Sequence, residues 1–234
     1  MSYSSGNFQL LGDPMILLRA VGAAEYAGST GKLTQFCADN GLRHKAITEI
    51  RKLRIQLTNE INLAICGVNL TVDPSMSPPS DAQARFLRQI LLAGMGDRVA
   101  RKVPLSDVTD KEEKRRLKYA YHCTDMVEPV FIHSSSVLRL KQPPEWVIYQ
   151  EAYEIQNDES SKMFIRGITA IEPEWLLLYV PLLCNISKIR EDTAPRFNAN
   201  DGKIYCFVDA TFGKVAWELP LAEIEMPAGE KACR

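Results

Sequence analysis

The stretch that decides the fold of this chain runs from Val130 to Leu176. It begins VFIHSSSVLRLKQPPEWVIYQE (130–151) and continues, after a few residues, with MFIRGITAIEPEWL (163–176). Two short runs with strand-like alternation flank the rigid Pro143-Pro144 step, and a third apolar run contains Arg166. A short helix is predicted to begin at 172–175. The pattern indicates several short strands followed by a short helix.

Outward from this stretch, the hydrophobic period changes from helical to alternating near residue 118. The predicted strands are Lys118–Cys123, Pro129–His133, Trp146–Ile155 and Lys162–Ile171. One amphipathic helix precedes them and is predicted to end near 103–104, before a charged surface loop at 105–117. Several short strands behind one helix suit a small Greek-key barrel of the OB type, although the pattern also fits other small barrels.

The N-terminal part is predicted to be helical, so the fold class is α+β. Asp13-Pro14 is a typical helix start, and apolar stripes at 16–24 and 47–61 follow at helical spacing. These stripes predict exposed hydrophobic surface in this chain. The predicted division is a helical hairpin or bundle remnant at 1–66, a linker at 67–80, the barrel at 81–192 and an extension at 193–234. In the extension, 204–209 and 214–219 predict a β-hairpin.

Composition limits the classes of function. The chain has 234 residues, of which 46% are hydrophobic and 24% charged, as in ordinary globular proteins. A formal net charge of −1 argues against a molecule that binds nucleic acid with its whole surface. Six scattered cysteines favour free thiols in a reducing compartment. With no membrane-spanning run or signal pattern, we expect a soluble intracellular protein without a membrane partner.

No motif predicts catalysis or a cofactor in this chain. The segment GSTGK (28–32) lacks the first glycine and the hydroxyl residue of a phosphate-binding loop, and a helix rather than a strand precedes it. His44, His122 and His133 have no metal-ligand spacing. Ser134-Ser135-Ser136 lacks a nucleophile elbow, so a backbone-capping or RNA-phosphate role is the better interpretation.

Candidate RNA-binding residues come from local basic and polar groups. The span 85–118 contains ten basic and five acidic residues, although Lys111–Arg116 also fits a solvated face. The selected site residues lie in the deciding stretch: His133, Ser135, Arg139, Lys141 and Arg166. Tyr149, Tyr153 and Phe164 could stack on bases, or they could be core residues of the strands.

These residues resemble a known family. Val130–Val147 is similar to the pattern of an apolar residue, Ile, His, a Ser-rich step, Val-Leu and Pro-Pro-Glu-Trp-Val in the C-terminal OB domain of DEAH-box RNA helicases. Gly12-Asp13 with the leucines that follow, and 88–94, resemble two further segments of the same family in the same order. The resemblance extends over residues 12–183. One departure is His133-Ser134, where the family has His-Pro.

The resemblance implies a role for the chain. Residues 12–66 would end the helical-bundle (ratchet) domain, and 81–183 would be the OB domain. In this family these domains pack over two RecA-like motor domains, which bind ATP and Mg²⁺, and close a channel around single-stranded RNA. The OB domain contacts the RNA backbone and often docks an activator protein. Neither a phosphate-binding loop nor a DExH motif occurs here, so the chain alone would not be an enzyme, whereas the parent protein would be.

The charged insertion at 105–117 and the tail after Asn185 resemble the nucleolar branch of the family. That branch implies pre-rRNA processing and small-subunit assembly in the nucleus and nucleolus, with pre-rRNA or small nucleolar RNA as the ligand. Two other interpretations stay open. The chain could be a self-sufficient single-stranded RNA-binding OB protein, or a protein-interaction module that uses the OB surface and the 204–219 hairpin as an open β edge.

Overall fold

The computed structural model describes residues 6–106, 108–140, 142–157 and 160–226. Helices come first along the chain and strands later, and the predicted α+β class is confirmed. Contacts group residues 6–13 with residues 82–226, and Pro14–Asp81 forms a second compact unit. The division at 66, 80 and 192 stays a prediction about domains.

The elements are numbered in chain order. The helices are α1 (Asn7–Leu10), α2 (Asp13–Ser29), α3 (Leu33–Asp39), α4 (His44–Ala64), α5 (Asp81–Gly94), α6 (Lys111–Leu117) and α7 (Glu174–Tyr179). The strands are β1 (Val99–Lys102), β2 (Ala120–Cys123), β3 (Val130–Ile132), β4 (Trp146–Ile148), β5 (Glu151–Asn157), β6 (Ser160–Arg166), β7 (Thr169–Ala170), β8 (Cys184–Ile189), β9 (Arg196–Asn198), β10 (Lys203–Phe212), β11 (Trp217–Glu218) and β12 (Ala222–Glu225).

The helical unit packs α2, α3 and α4 around a small core. Ala24, Cys37 and Ile47 are buried together. The buried carboxylate of Glu25 accepts a 2.8 Å hydrogen bond from Arg51, and this bond raises the pKa of Arg51. Much of the apolar stripe is exposed, including Leu53, which is 53% accessible. The predicted exposed hydrophobic surface is therefore confirmed.

The first sheet has the strand order β5-β6-β3-β2-β1-β4-β7, so β5 and β7 lie at its two ends. All neighbouring pairs are antiparallel except β3 and β6, which are parallel. Its core includes Tyr121, Val130, Ile132 and Ile165, each at most 1% accessible. Two predicted strands are each divided in the structure, at 149–150 and at 167–168.

Two further predictions about the segment between α5 and β2 were wrong. The helix ends at Gly94, and the residues predicted to continue it form β1, which fills the gap between β2 and β4. The predicted surface loop at 105–117 contains α6, whose N-terminus is capped by the Asp110 carboxylate accepting from Glu113 N–H at 3.0 Å. The apolar residues after Gly94 continue the helical spacing by chance. Pairing of β1 with β2 and β4 makes this segment a strand.

The second sheet is built around β10. Strands β8 and β9 pair along one side of β10, and β11 and β12 pair along the other. The predicted hairpin is its β10–β11 part, and the sheet begins at Cys184. Trp217 packs edge-on against Trp146 of the first sheet, with ring centroids 5.5 Å apart.

The segment before α2 docks onto the first sheet. Leu11 is 1% accessible, and its carbonyl accepts a 2.9 Å bond from the Thr169 hydroxyl. Gly12 has a φ of +71°, and a Cβ at this position would lie 2.2 Å from the carbonyl oxygen of Ile168. Asp13 N–H donates to that same oxygen at 3.0 Å. Only glycine fits this close approach of two backbones.

Among the described helices, none is both long and apolar enough to cross a membrane.

The close approach at Gly12 predicts a specific loss of stability. Gly12→Ala combines a strained φ with the clash at Ile168, so we expect it to lower the free energy of unfolding by more than about 2 kcal/mol. Gly202→Ala is the matched control, because Gly202 has a φ of +69° with no atom near its missing Cβ. It should cost roughly 1 kcal/mol.

Urea unfolding followed by tryptophan fluorescence checks this prediction. All three tryptophans (Trp146, Trp175 and Trp217) lie in the unit that contains both sheets, so the signal reports that unit. Equal losses for the two variants would show that the contact with Ile168 contributes nothing.

Candidate nucleic-acid interface

Three aromatic side chains lie side by side on one face of the first sheet. Phe131 on β3 is the pairing partner of Phe164 on β6, and Phe164 is also the partner of Tyr153 on β5. Their ring centroids are 6.2 Å apart for the first pair and 6.4 Å for the second. All three are half-buried. We call Phe131, Phe164 and Tyr153 the aromatic row.

His133 lies beside this row, directly after the end of β3. Its ring contacts Phe164 edge-on at 6.1 Å and Tyr153 at 5.9 Å between centroids. Its Nδ1 accepts from Ser135 N–H at 3.2 Å, and the Ser135 hydroxyl lies 2.7 Å from the same nitrogen. The backbone donor makes Nδ1 the acceptor, so Nε2 carries the proton of the neutral ring. Two predicted site residues are therefore in contact.

Two exposed cations flank the row. Lys162 Nζ lies 5.7 Å from the centroid of Phe131, and the Arg166 guanidinium lies 5.2 Å from that of Tyr153. Arg166 Nε also donates to the Glu151 carboxylate at 2.5 Å. This bond lowers the pKa of Glu151 and raises that of Arg166. Because the pair is solvent-exposed, it contributes little to stability and can exchange partners at small cost.

Arg139 lies elsewhere, and Lys141 falls outside the described residues. The Arg139 guanidinium is 4.6 Å from the centroid of Tyr119, which also contacts the ammonium of Lys118 at 4.9 Å. The structure thus brings together His133, Ser135 and Arg166 but gives Arg139 a different aromatic partner.

The three aromatic residues that the sequence analysis named as candidates do not share one environment in the structure. Tyr149 is a core residue, 7% accessible, and burial raises its pKa. Tyr153 and Phe164 belong to the aromatic row instead. The basic run 111–116 is the exposed helix α6, in which Arg116 pairs with Glu113 at 3.6 Å.

The Asp13 carboxylate holds the serine-rich turn that follows β3. Oδ1 accepts from the Ser136 hydroxyl at 3.0 Å and from Val137 N–H at 2.9 Å. Oδ2 accepts from Ile168 N–H at 2.8 Å. Three donors from two loops therefore converge on one side chain that the sequence marked only as a helix start. The turn it holds carries His133, Ser135 and Arg139.

Sequence reasoning missed Phe131, Lys162 and Glu151. The available signal was period-two spacing, which places Phe131 with His133 on one face of β3, and Lys162 with Phe164 and Arg166 on one face of β6. The pairing of β3 with β6 brings these two faces together, and no local pattern indicates it.

The groups on this face are typical of a binding surface. Aromatic rings beside exposed cations are the groups that bind single-stranded nucleic acid, since rings stack on bases and cations contact phosphates. In the described ranges, His, Cys, Asp and Glu side chains form no group of three or more that could hold a metal ion. The fold and this face favour the interpretation of a nucleic-acid-binding protein of the OB-fold class.

Comparison with known proteins agrees with this class. Residues 87–183 match the family described as the oligonucleotide/oligosaccharide-binding (OB) fold, which confirms the predicted OB type. Over 98% of its length the chain is 76% identical to the probable ATP-dependent RNA helicase kurz of Drosophila melanogaster. It is 43% identical to the probable ATP-dependent RNA helicase DHX37 of Homo sapiens over 94% of the chain, and 35% identical to the putative ATP-dependent RNA helicase rha-2 of Caenorhabditis elegans over 93%.

The chain is therefore similar, over nearly its whole length, to one segment of DEAH-box ATP-dependent RNA helicases. It spans about a fifth of the length of the curated relatives it matches, between 18% and 19% in these three.

The position of Asp13 predicts a local effect of its removal. In Asp13→Ala, the amides of Val137 and Ile168 lose a charged acceptor, a loss of roughly 1.5–3 kcal/mol per bond. We expect their hydrogen exchange to accelerate about tenfold or more, as measured by NMR. Asp110→Ala is the control, because its carboxylate caps only Glu113 N–H. Unchanged protection at 137 and 168 would contradict the role given to Asp13.

Proposed function

We propose that this chain is the C-terminal, non-motor portion of an ATP-dependent DEAH-box RNA helicase, and that the face carrying the aromatic row contacts single-stranded RNA. The single observation behind the first part is identity of 76% over 98% of the chain with a probable ATP-dependent RNA helicase. The second part rests on the juxtaposition of Phe131, Phe164 and Tyr153 with Lys162 and Arg166.

The face has the charge and geometry for a modest electrostatic contact. The formal net charge of the chain is −1, so attraction to phosphate must come from local groups. Among the residues that the structure describes, no carboxylate forms a salt bridge with Lys162, whereas Arg166 is shared with Glu151. A second basic position, formed by Lys118 and Arg139 over Tyr119, offers a further phosphate contact. Such a surface suits sequence-independent contact with an RNA backbone.

The remaining parts of the activity belong to this proposal as well. ATP and Mg²⁺ would bind RecA-like motor domains outside this chain, and the motor would supply the movement along the strand. The chain would help to close the RNA channel and would dock an activator protein. The exposed apolar residues of the helical unit, Leu17 and Leu53 among them, are compatible with burial against other parts of a longer protein.

A narrower assignment follows from two features of the chain. The charged insertion containing α6 and the sheet built around β10 lie where this chain resembles the nucleolar branch of the family. We therefore propose pre-rRNA processing and assembly of the small ribosomal subunit as the process, with pre-rRNA or small nucleolar RNA as the ligand. The compartment would be the nucleus, and within it the nucleolus.

A protein-interaction module is the second candidate function. The observation that favours it is β5, a seven-residue strand at the end of the first sheet, where a partner strand could add. The 204–219 hairpin offers less open β edge to a partner strand than the sequence predicts. Strand β10 has partners on both sides, and β11 has only two residues.

RNA binding by this chain should depend on Arg166. We expect a labelled oligouridine to bind with an affinity that falls steeply with salt, as followed by fluorescence anisotropy. Arg166→Glu should weaken binding on the order of tenfold at low salt and reduce the salt slope by about 1. Arg196→Glu is a matched control, because Arg196 also pairs with a glutamate (Glu223, 2.9 Å) and also lies over a tyrosine (Tyr205, 5.7 Å).

The two arginine variants together decide the location of the RNA contact. Equal weakening by both would indicate a general effect of charge rather than this face. If the unmodified chain binds no RNA even at low salt, a contact made by this chain alone is excluded.

Glu151 should act against RNA binding. It competes with phosphate for Arg166 and places a negative charge beside the aromatic row. Glu151→Gln should therefore tighten binding of the oligouridine by roughly threefold to tenfold, in keeping with one like-charge contact removed. Glu154→Gln is the control, because Glu154 lies on the same strand but on its other face and accepts a hydrogen bond from Ser161. Weaker binding by Glu151→Gln would mean that the ion pair positions Arg166 for RNA.

A further inference from the structure

We propose that the aromatic row is a stacking site for unpaired nucleobases, so that this face binds the bases of single-stranded RNA as well as its phosphates. This inference rests on the proposed function, because it gives the chemistry by which that face would hold its ligand. It assigns to Tyr153, Phe164 and Phe131 the base contacts, and to Lys162 and Arg166 the phosphates on either side.

The register of the strands aligns the three rings. Phe131, Phe164 and Tyr153 are direct partners across three neighbouring strands, so their rings form a line perpendicular to the strands. Separations of 6.2 and 6.4 Å between centroids leave each ring as a distinct platform. A strand of RNA crossing the sheet in this direction would meet one ring after another.

The rings are held by contacts with their neighbours. Each is half-buried, and His133 contacts both Phe164 and Tyr153. The His133 ring is itself held by Ser135 N–H at its Nδ1. A platform that is already fixed loses little side-chain entropy when a base stacks on it. His133 and Ser135 therefore support the row from one side.

Cations now occupy the positions that bases would take. Arg166 lies over Tyr153, and Lys162 lies over Phe131. A base stacked on an aromatic ring is stabilised more than an exposed cation–π contact is, so a base can displace either cation. The displaced ammonium and guanidinium groups would then lie beside the phosphates that flank the stacked bases. In the complex, the rings would then contact bases and the two cations would contact phosphates.

The second sheet offers a comparison within the same chain. Tyr205, Arg196 and Glu223 repeat the arrangement of Tyr153, Arg166 and Glu151, with the guanidinium 5.7 Å from the ring centroid. Within the described part of the chain, however, no aromatic ring packs against Tyr205, whereas Tyr153 contacts Phe164 and His133. An aromatic row, rather than one ring with an ion pair, distinguishes the proposed site.

Two RNA oligomers of equal length and equal phosphate number test the proposal on this chain. One is oligouridine, and the other has abasic residues at its central positions. We expect the unmodified chain to bind oligouridine about tenfold more tightly than the abasic oligomer at the same salt, with stacking as the difference. The salt slopes for the two oligomers should be equal, because both present the same phosphates.

Variants locate the effect. Tyr153→Leu should reduce the preference for oligouridine to less than about threefold and leave the salt slope unchanged, whereas Tyr153→Phe should retain the preference because it keeps the ring. Tyr205→Leu should behave as the unmodified chain does. Tryptophan fluorescence of each variant checks that the unit with both sheets is folded.

The outcomes separate this inference from the proposed function. Salt-dependent binding of both oligomers with equal affinity would overturn the stacking site and leave phosphate contact in place. Absence of binding to either oligomer would overturn RNA contact by this chain and the stacking site with it. A preference for oligouridine that Tyr205→Leu removes and Tyr153→Leu does not would place the bases on the second sheet, against the proposal.

Discussion

The carboxylate of Asp13 is the constraint on which the arrangement of the first sheet depends. Its two oxygens accept from Ser136, Val137 and Ile168, which follow β3 and β6 along the chain. These are the two strands that pair in parallel, and parallel neighbours cannot be joined by a tight turn. The partly buried carboxylate of Asp13 therefore joins two loops that are far apart in the sequence. The glycine before Asp13 allows this approach, because any Cβ there would meet the Ile168 carbonyl.

The face with the aromatic row follows from the pairing of the strands that precede these loops. Parallel pairing of β3 with β6 aligns Phe131 with Phe164, and antiparallel pairing with β5 adds Tyr153. The result is a surface with two exposed cations, of which one is partly neutralised by Glu151. Local attraction to phosphate is therefore limited, in line with a net charge of −1. A weak, sequence-independent contact suits a segment that is about a fifth of the length of its relatives, where other segments can add contacts.

Two other surfaces have different physical character. The helical unit exposes apolar residues along α2 and α4, while its small core is held by Ala24, Cys37 and Ile47 and by the Glu25–Arg51 pair. The second sheet instead exposes ion pairs such as Arg196–Glu223 and packs Trp217 against Trp146. Apolar surface of the first kind favours association with protein, whereas the paired charges of the second sheet add solubility and little affinity.

The α+β class, the order of helices and strands, and the resemblance to a family could be predicted from the sequence. The stripes at 16–24 and 47–61 determined α2 and α4, because helical periodicity is a local property. The Pro-Pro-Glu-Trp step and its flanking strands likewise carried the resemblance that the comparisons confirmed. By contrast, β1, β9 and β12 form through pairing with distant strands, and the local sequence pattern predicted no strand at these positions. Tertiary structure also decided that Arg166 contacts Tyr153 whereas Arg139 contacts Tyr119. Strand pairing joins residues distant in sequence, and no local pattern specifies which strands will meet.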